Sequence, residues 1–234
     1  MIHATDSKGT FYILNKKDRT PIIFIHGVGL DHSIWDPQIN EFDNTVLIYD
    51  ILGHGKTPLN KNDLSFDDFS NQILNLMDEL KFNKVHLVGF SIGSLIARNF
   101  ASRFNDRLAS LTLLCSIFNR SDKEQKIVND RFEQTKKDHK LTKDALKRWF
   151  TEDFLNKNPG ISDKIFNILQ NNNMNNFIKI YSLFVKHQDN EKFENIKTKT
   201  LVITGEGDLG STPEMSINLA KKIKNSVVKI IPKG

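Results

Sequence analysis

Six short apolar runs constrain this chain more than any other feature: "PIIFIH" (21–26), "TVLIYD" (45–50), "KVHLVGF" (84–90), "LASLTLLC" (108–115), "TLVITG" (200–205) and "SVVKII" (226–231). Most are continuous rather than alternating, the pattern of strands buried on both faces of a parallel sheet. Amphipathic helical stretches lie between several of them. In "SFDDFSNQILNLMDEL", Phe66, Phe69, Ile73, Met77 and Leu80 recur at spacings of three and four, with Ser65 and Asp68 placed as a start signal. "SIGSLIARNFASRF" reads as a second helix, and "TPEMSINLAKKIKN" as a third with proline near its beginning. Strand alternating with helix predicts an α/β fold with right-handed crossovers. "TFYILN" near the start adds an antiparallel edge strand.

Residues 118–195 break this rhythm. They are rich in Lys, Asn, Asp and Gln, read as helical, and contain no buried strand. The expected organisation is therefore a core over 1–117, a helical insertion over 118–195, and the core again over 196–234. "NNNMNN" (171–176) reads as a loop.

At 234 residues the chain suffices for one domain with a sizeable core. Its 38% hydrophobic and 26% charged residues fit a soluble globular protein. No apolar run approaches the ~20 residues that cross a bilayer, and the first ten residues lack the charge and apolar pattern of a signal peptide. The one cysteine, Cys115, excludes an internal disulfide and a multi-thiolate metal site. It closes an apolar run, so it reads as a small buried core residue, and a cytoplasmic setting is expected. The net charge of +5 comes from scattered lysines interleaved with acids. No basic stripe with aromatics is present, which argues against a nucleic-acid partner.

The chemistry concentrates at three places. Gly89-Phe90-Ser91-Ile92-Gly93 is a G-x-S-x-G that follows a strand-like run and opens a helix-like one. That context suits a nucleophile on a sharp turn: small residues on either side let strand and helix approach, and the hydroxyl stands at the helix N-terminus. Acyl transfer also needs two N–H donors aimed at the developing oxyanion. The residue after the nucleophile, Ile92, is one, and the glycine-rich loop His26-Gly27-Val28-Gly29-Leu30 offers Val28 as the other. His26 reads as a loop organiser. Finally, "TGEGDLGSTP" (204–213) places an acid after a strand, where a carboxylate orients and stabilises an imidazolium. Asp208 is preferred, Glu206 is the alternative, and a helix-capping role competes with both.

In this order "HGVGLDHSIW", "YDILGHGKT", "VGFSIGS" and "ITGEGDLGSTP", with a helical insert before the last, resemble the α/β-hydrolase fold superfamily over essentially the whole chain. Asp50, Gly53 and Gly55 look like its D-x-x-G-x-G turn. The resemblance implies Ser91 as nucleophile, Asp208 as triad acid, Val28 and Ile92 as oxyanion donors, residues 118–195 as a cap, and no metal or organic cofactor. "HGVGLDHSIWDPQI" and "ALKRWFTEDF" look most like 3-oxoadipate enol-lactonases and small carboxylic-ester hydrolases; carbon–carbon bond hydrolases share much of the frame. A small-molecule ester or lactone is the implied substrate, with Gly27, Trp149 and Phe150 as pocket candidates. A non-catalytic, ligand-binding member of the fold is the rival reading.

One part of the pattern is unfilled. The triad order is Ser, acid, His, and no histidine follows His187. His32 and His54 belong to loops near the expected site, but a base must come within ~3 Å of the hydroxyl with its own partner in place. The expectation is that the histidine loop and a closing helix lie beyond residue 234. Such a helix burying ~400 Å² of apolar surface contributes roughly 10 kcal/mol as an upper bound, comparable with the net stability of a whole domain, about 5–15 kcal/mol.

Overall fold

The computed structural model describes residues 1–232, except the side chains of Asp144, Ala145 and Arg148. Lys233 and Gly234, in the expected 196–234 segment, lie outside the described residues. The six apolar runs all form strands: β3 (Arg19–Ile25), β4 (Asn44–Tyr49), β5 (Val85–Phe90), β6 (Leu108–Leu114), β7 (Thr200–Gly205) and β8 (Ser226–Ile231). They are preceded by β1 (Ile2–Thr5) and β2 (Phe11–Asn15). The sheet runs β1-β2-β4-β3-β5-β6-β7-β8, parallel from β4 through β8, with β1 and β2 antiparallel.

The "TFYILN" strand is not the edge as expected. β2 pairs with β4 on one side and with β1 on the other, Ile2 opposite Leu14 and Thr5 opposite Phe11. β1 escapes sequence reading because it is four residues long and largely solvated, with Ile2 49% exposed, so it shows no buried pattern.

Helices α1 (Phe66–Glu79) and α2 (Ile92–Phe104) follow β4 and β5. Five helices then separate β6 from β7: α3 (Asp122–Asp138), α4 (Asp144–Trp149), α5 (Glu152–Lys157), α6 (Pro159–Gln170) and α7 (Met174–Val185). Helix α8 (Pro213–Lys222) joins β7 to β8. On α1 the expected stripe is inside: Phe69, Ile73 and Met77 are fully buried, and Leu76 joins them. The start signal is a capping box in which Asp68 accepts the Ser65 N–H at 2.8 Å and its hydroxyl at 2.9 Å, satisfying a donor the helix leaves unpaired.

The two faces of the sheet differ. Ile23, Ile25, Leu47, Val85, Leu87, Leu111, Leu113 and Val202 pack in one cluster with residues of α1, α2 and α8. On the other face, Trp35 and Ile39 cover Phe24, Ile22 and Val46. That cover stops at β5. β5 and β7 alternate between buried and half-buried residues and β8 between half-buried and exposed ones, contrary to the expectation of strands buried on both faces. Val88, Thr112, Leu201 and Val227 stand in register across this face, and Phe90, Leu114, Ile203 and Lys229 form the next row. Val227 is 63% exposed. Among the described residues, no helix is long and apolar enough to cross a membrane.

Asp68→Ala removes the capping acceptor, a half-buried carboxylate that also pairs with Lys61. It is expected to cost about 1 kcal/mol and to lower Tm by roughly 2–4 °C in a calorimetric scan.

Candidate active site

Strand β5 ends and α2 begins within one residue, and that residue is Ser91. Its backbone sits at φ 56°, ψ −120°, a region that costs a non-glycine residue on the order of 1–3 kcal/mol. The neighbours explain why the turn is built this way. A Cβ on Gly89 would lie 2.2 Å from the Gly93 carbonyl oxygen, and one on Gly93 would lie 2.6 Å from the Ile25 carbonyl oxygen and 2.7 Å from that of His26. The helix start therefore rests directly on the ends of β3 and β5. Two bonds fix Ser91: its N–H donates to Leu114 O on β6 (3.0 Å), and its carbonyl accepts the Ser94 N–H (2.9 Å). Its hydroxyl makes no hydrogen bond among the described residues.

The 26–30 loop meets this turn. A Cβ at Gly27 would lie 3.2 Å from the Phe90 ring. Gly29, at φ +77°, is pressed from above, since a Cβ there would come within 2.9 Å of Phe177 on α7 and 3.0 Å of Leu169 on α6. Asn172 donates to the Gly29 carbonyl at 2.7 Å. No hydrogen bond among the described residues uses the Val28 N–H. Ile92 is the first residue of α2, so its N–H has no carbonyl one turn back.

Two buried histidines hold the loops through their neutral form. His54 Nε2 accepts the Gly29 N–H at 2.8 Å, and its Nδ1 faces Leu52 O at 3.3 Å. His26 Nε2 accepts the Ile51 N–H at 3.1 Å, while Nδ1 donates to Gly27 O at 2.8 Å. In each ring the accepting nitrogen assigns the proton to Nδ1. Burial, with the nearby His26 ring, pushes His54 down to about 3, and burial lowers His26 as well. Asp50 ties the next layer. One of its oxygens accepts the His32 N–H and the His32 Nδ1 proton (both 2.8 Å), and the other accepts the Lys56 N–H (2.8 Å). Gly55, at φ +53°, has no room for a side chain, because a Cβ would lie 2.3 Å from the Asp50 carboxylate.

Asp208 lies past the end of β7. One oxygen accepts the Gly210 and Ser211 N–H groups (2.8 and 2.9 Å), and the other the Ser211 hydroxyl (2.7 Å). The helix-capping role goes instead to Thr212, whose side chain accepts from Met215 N. Glu206 is exposed. Cys115, at the end of β6, is half-buried rather than fully buried, and burial together with the Asp208 charge pushes its thiol up to about 12. The ends of β5, β6 and β7 thus carry Ser91, Cys115 and Asp208 on adjacent strands.

The pocket candidates separate. Phe150 packs with Leu30, Leu146, Leu169 and Phe90, joining the helical insert to the loops around Ser91. Trp149 is 44% exposed and belongs to none of the apolar clusters.

The whole arrangement, with its strained serine between glycines at the carboxyl ends of parallel strands, matches a family model described as alpha/beta hydrolase fold over residues 20–234. The chain belongs to that family. Among its relatives, the (E)-2-((N-methylformamido)methylene)succinate hydrolase of Acinetobacter baylyi is 28% identical over 226 residues, spanning 95% of this chain and 85% of the relative. The 3-oxoadipate enol-lactonase 1 of the same organism is 26% identical, with 89% and 79% covered. The crystal structure of the enol-lactonase from Burkholderia xenovorans LB400 superposes with a TM-score of 0.83 at 25% identity, covering 99% of this chain and 90% of that one. The resemblance to α/β-hydrolases and enol-lactonases read from the motifs therefore holds.

What the motifs did not reveal is the support beneath this hydrolase-fold site. His26 and His54 are spent as backbone acceptors, His32 donates to Asp50, and Ser211 clamps Asp208 from three residues away. The signals existed, a histidine beside each glycine turn and a serine just before the α8 cap, but neither carries a periodicity. Among the described residues no histidine hydrogen-bonds to Ser91 or Asp208.

Two tests follow from this geometry. Gly89→Ala is expected to cost about 4 kcal/mol or more in urea unfolding, because backbone must move. Gly160→Ala, with nothing within 4 Å of the new Cβ, is expected to stay within about 0.5 kcal/mol of wild type. His54 supplies the pH dependence. Its folded value lies below 6.5, so the unfolded chain binds the proton first on acidification. Its contribution is full above about pH 6.5 and shrinks steadily toward about pH 3. A Tm that falls across that window in wild type, and falls less in His54→Leu, is the expected outcome.

Proposed function

We propose that this chain is a serine hydrolase acting on a small carboxylic ester or enol-lactone through an acyl-enzyme on Ser91. In the proposed cycle Ser91 Oγ attacks the carbonyl carbon as its proton passes to a base. The Val28 and Ile92 N–H groups hold the resulting oxyanion, and the leaving alcohol or enol takes the proton back. Water then attacks the ester to Ser91 and releases the acid. Asp208 is the acid that orients the base, and Gly27 and Phe150 border the acyl pocket beneath the 118–195 helices, which serve as a cap. The observation that carries this reading is the Ser91 backbone: a strained, positive-φ serine at a helix start, tolerated because Gly89 and Gly93 remove the obstructing side chains. The names of the enol-lactonase relatives support the substrate class.

The base is the part this reading takes from outside residues 1–234. His26 and His54 are buried acceptors, His32 is held by Asp50 and His86 by Ser110 at 2.7 Å, and His187 is buried beside Asp189 and Glu191. The partly solvated apolar face from Val88 to Val227 fits a further covering element that brings the histidine.

Hydrolysis of an enol-lactone and of short acyl esters is the test, run with the 234-residue chain and with a version continued past Gly234 by its own gene. The longer version is expected to turn over, and Ser91→Ala in it to lose about 10⁶ in kcat. The 234-residue chain is expected to retain only the ~10³ that the oxyanion hole and binding supply. Fast turnover by the short chain, or activity untouched by Ser91→Ala, would overturn the reading.

A further inference from the structure

Past α7 the chain returns to the sheet through a loop in which His187, Asp189 and Glu191 alternate. The His187 and Glu191 side chains are only 5% and 4% exposed, and Asp189 20%. Across from them, on α2, Arg98 is completely buried. Its guanidinium donates to Asp189 Oδ1 at 2.6 Å, to Glu191 Oε2 at 2.8 Å and to Ile117 O at 2.8 Å. Asp189 Oδ2 accepts the Asn119 N–H at 2.6 Å.

Three buried atoms of this cluster remain without a hydrogen bond: Arg98 Nε, His187 Nε2 and Glu191 Oε1. His187 Nε2 and Glu191 Oε1 face each other at 3.5 Å, and His187 Nε2 lies 3.4 Å from Asp189 Oδ1. The Arg98 guanidinium pairs with both carboxylates, and the Arg120 charge also acts on Asp189. Between His187 Nε2 and the carboxylate oxygens a further positive species would be either a proton on His187 or a metal ion.

The distances separate the two. An imidazolium between carboxylates makes a hydrogen bond of about 2.7–3.2 Å to at least one of them, and neither contact is that short. Ligands about 2.1 Å from a tetrahedral zinc ion stand about 3.4 Å apart, the separation seen here for both pairs. All three donor atoms lie within 4.8 Å of one another.

We propose that His187 Nε2, Asp189 Oδ1 and Glu191 Oε1 bind a zinc-class divalent cation. One imidazole nitrogen and two carboxylate oxygens suit zinc better than calcium or magnesium, which take oxygen ligands. Arg98 holds both carboxylates from behind and fixes their direction, as outer partners of metal ligands do. Asp189 also lines a neighbouring cavity of about 290 Å³, with Phe118, Asn119, Phe193 and Lys222. Arg98 stands about two turns along α2 from Ser91, so the ion plays no part in the ester chemistry, for which the motifs implied no metal. Its role is to set the loop that leads from the helical insert back into β7 and to lock it onto α2.

The experiment is titration of the chelator-treated chain with Co²⁺ followed by Zn²⁺. Expected are saturable binding of one Co²⁺ per chain with the intense visible absorption of a tetrahedral site, displacement of that colour by Zn²⁺, and a Tm raised by about 5 °C at a hundred times Kd. His187→Gln and Glu191→Gln each abolish the colour and the Tm shift, whereas His139→Gln keeps both. Absence of saturable 1:1 binding by the wild-type chain, or binding unchanged in a folded His187→Gln or Glu191→Gln variant, overturns the proposal. Should both variants fail to fold, the histidine ring ¹⁵N spectrum of wild type decides: Zn²⁺ moves the Nε2 resonance of one histidine if the site is real, and none or several if it is not.

Discussion

The contact on which this molecule depends is backbone against backbone, where the first turn of α2 lies on the ends of β3 and β5. With a Cβ at Gly89 only 2.2 Å from the Gly93 carbonyl, no residue larger than glycine fits without separating helix from strand. Once the helix is that close, the chain has a single residue in which to turn, and that residue must take a positive φ. Ser91 pays this conformational cost, and the surrounding packing sustains it: Ile92, Leu95, Ile96 and Phe100 are completely buried on the side of α2 that meets the sheet. Strain at one residue is thus held by burial of four others. The same close approach presses Gly93 against the carbonyls of residues 25 and 26 and so fixes where the 26–30 loop leaves β3.

That loop poses a second problem, because it is buried and irregular, and its N–H groups must find acceptors. Side chains answer it for Gly29 and for the adjoining 32–56 segment, while the Val28 N–H makes no hydrogen bond among the described residues. His54 takes the Gly29 N–H, His26 takes that of Ile51, and Asp50 takes those of His32 and Lys56. An imidazole serves here as a flat, neutral acceptor with a donor on its far side, which ties two loops at once. Protonation would set N–H against N–H, which is why burial and mutual proximity keep these rings uncharged. Among the described residues no histidine hydrogen-bonds to Ser91, and the two fully buried rings, His26 and His54, are committed as acceptors for the loops.

Much of this was legible in the amino-acid order and some was not, for identifiable reasons. The six core strands and the α1 stripe were readable because burial imposes a period on the residues it selects. The elbow was readable because a steric demand can be met only by glycine at two fixed positions. β1 was not, since a solvated edge strand of four residues has nothing to bury. The alternation in β5 and β7 was hidden because their outward rows, such as Val88 and Leu201, are as apolar as their inward ones. Trp149 was named as a pocket candidate on the resemblance of the cap segment; it is 44% exposed, a feature that the sequence of a six-residue helix does not encode. Cys115 was read as core because its run is apolar, whereas it ends the strand at a positive φ and faces Asp208.

The position of Cys115 sharpens the proposed chemistry. Ser91 and Asp208 extend from β5 and β7, and β6 lies between them, so a base linking the two crosses above the end of β6. Strands about 4.8 Å apart place the outer pair roughly 10 Å from one another, a gap that an imidazole with a hydrogen bond on each side fills. Cys115 stands at the end of that middle strand, beside Asp208. An ionised thiol there would compete with Ser91 as nucleophile and add a second anion beside Asp208. Burial and the Asp208 charge prevent this by keeping the proton on sulfur up to about 12. The carboxylate is in turn held by two backbone N–H groups and the Ser211 hydroxyl, so its direction does not depend on the thiol.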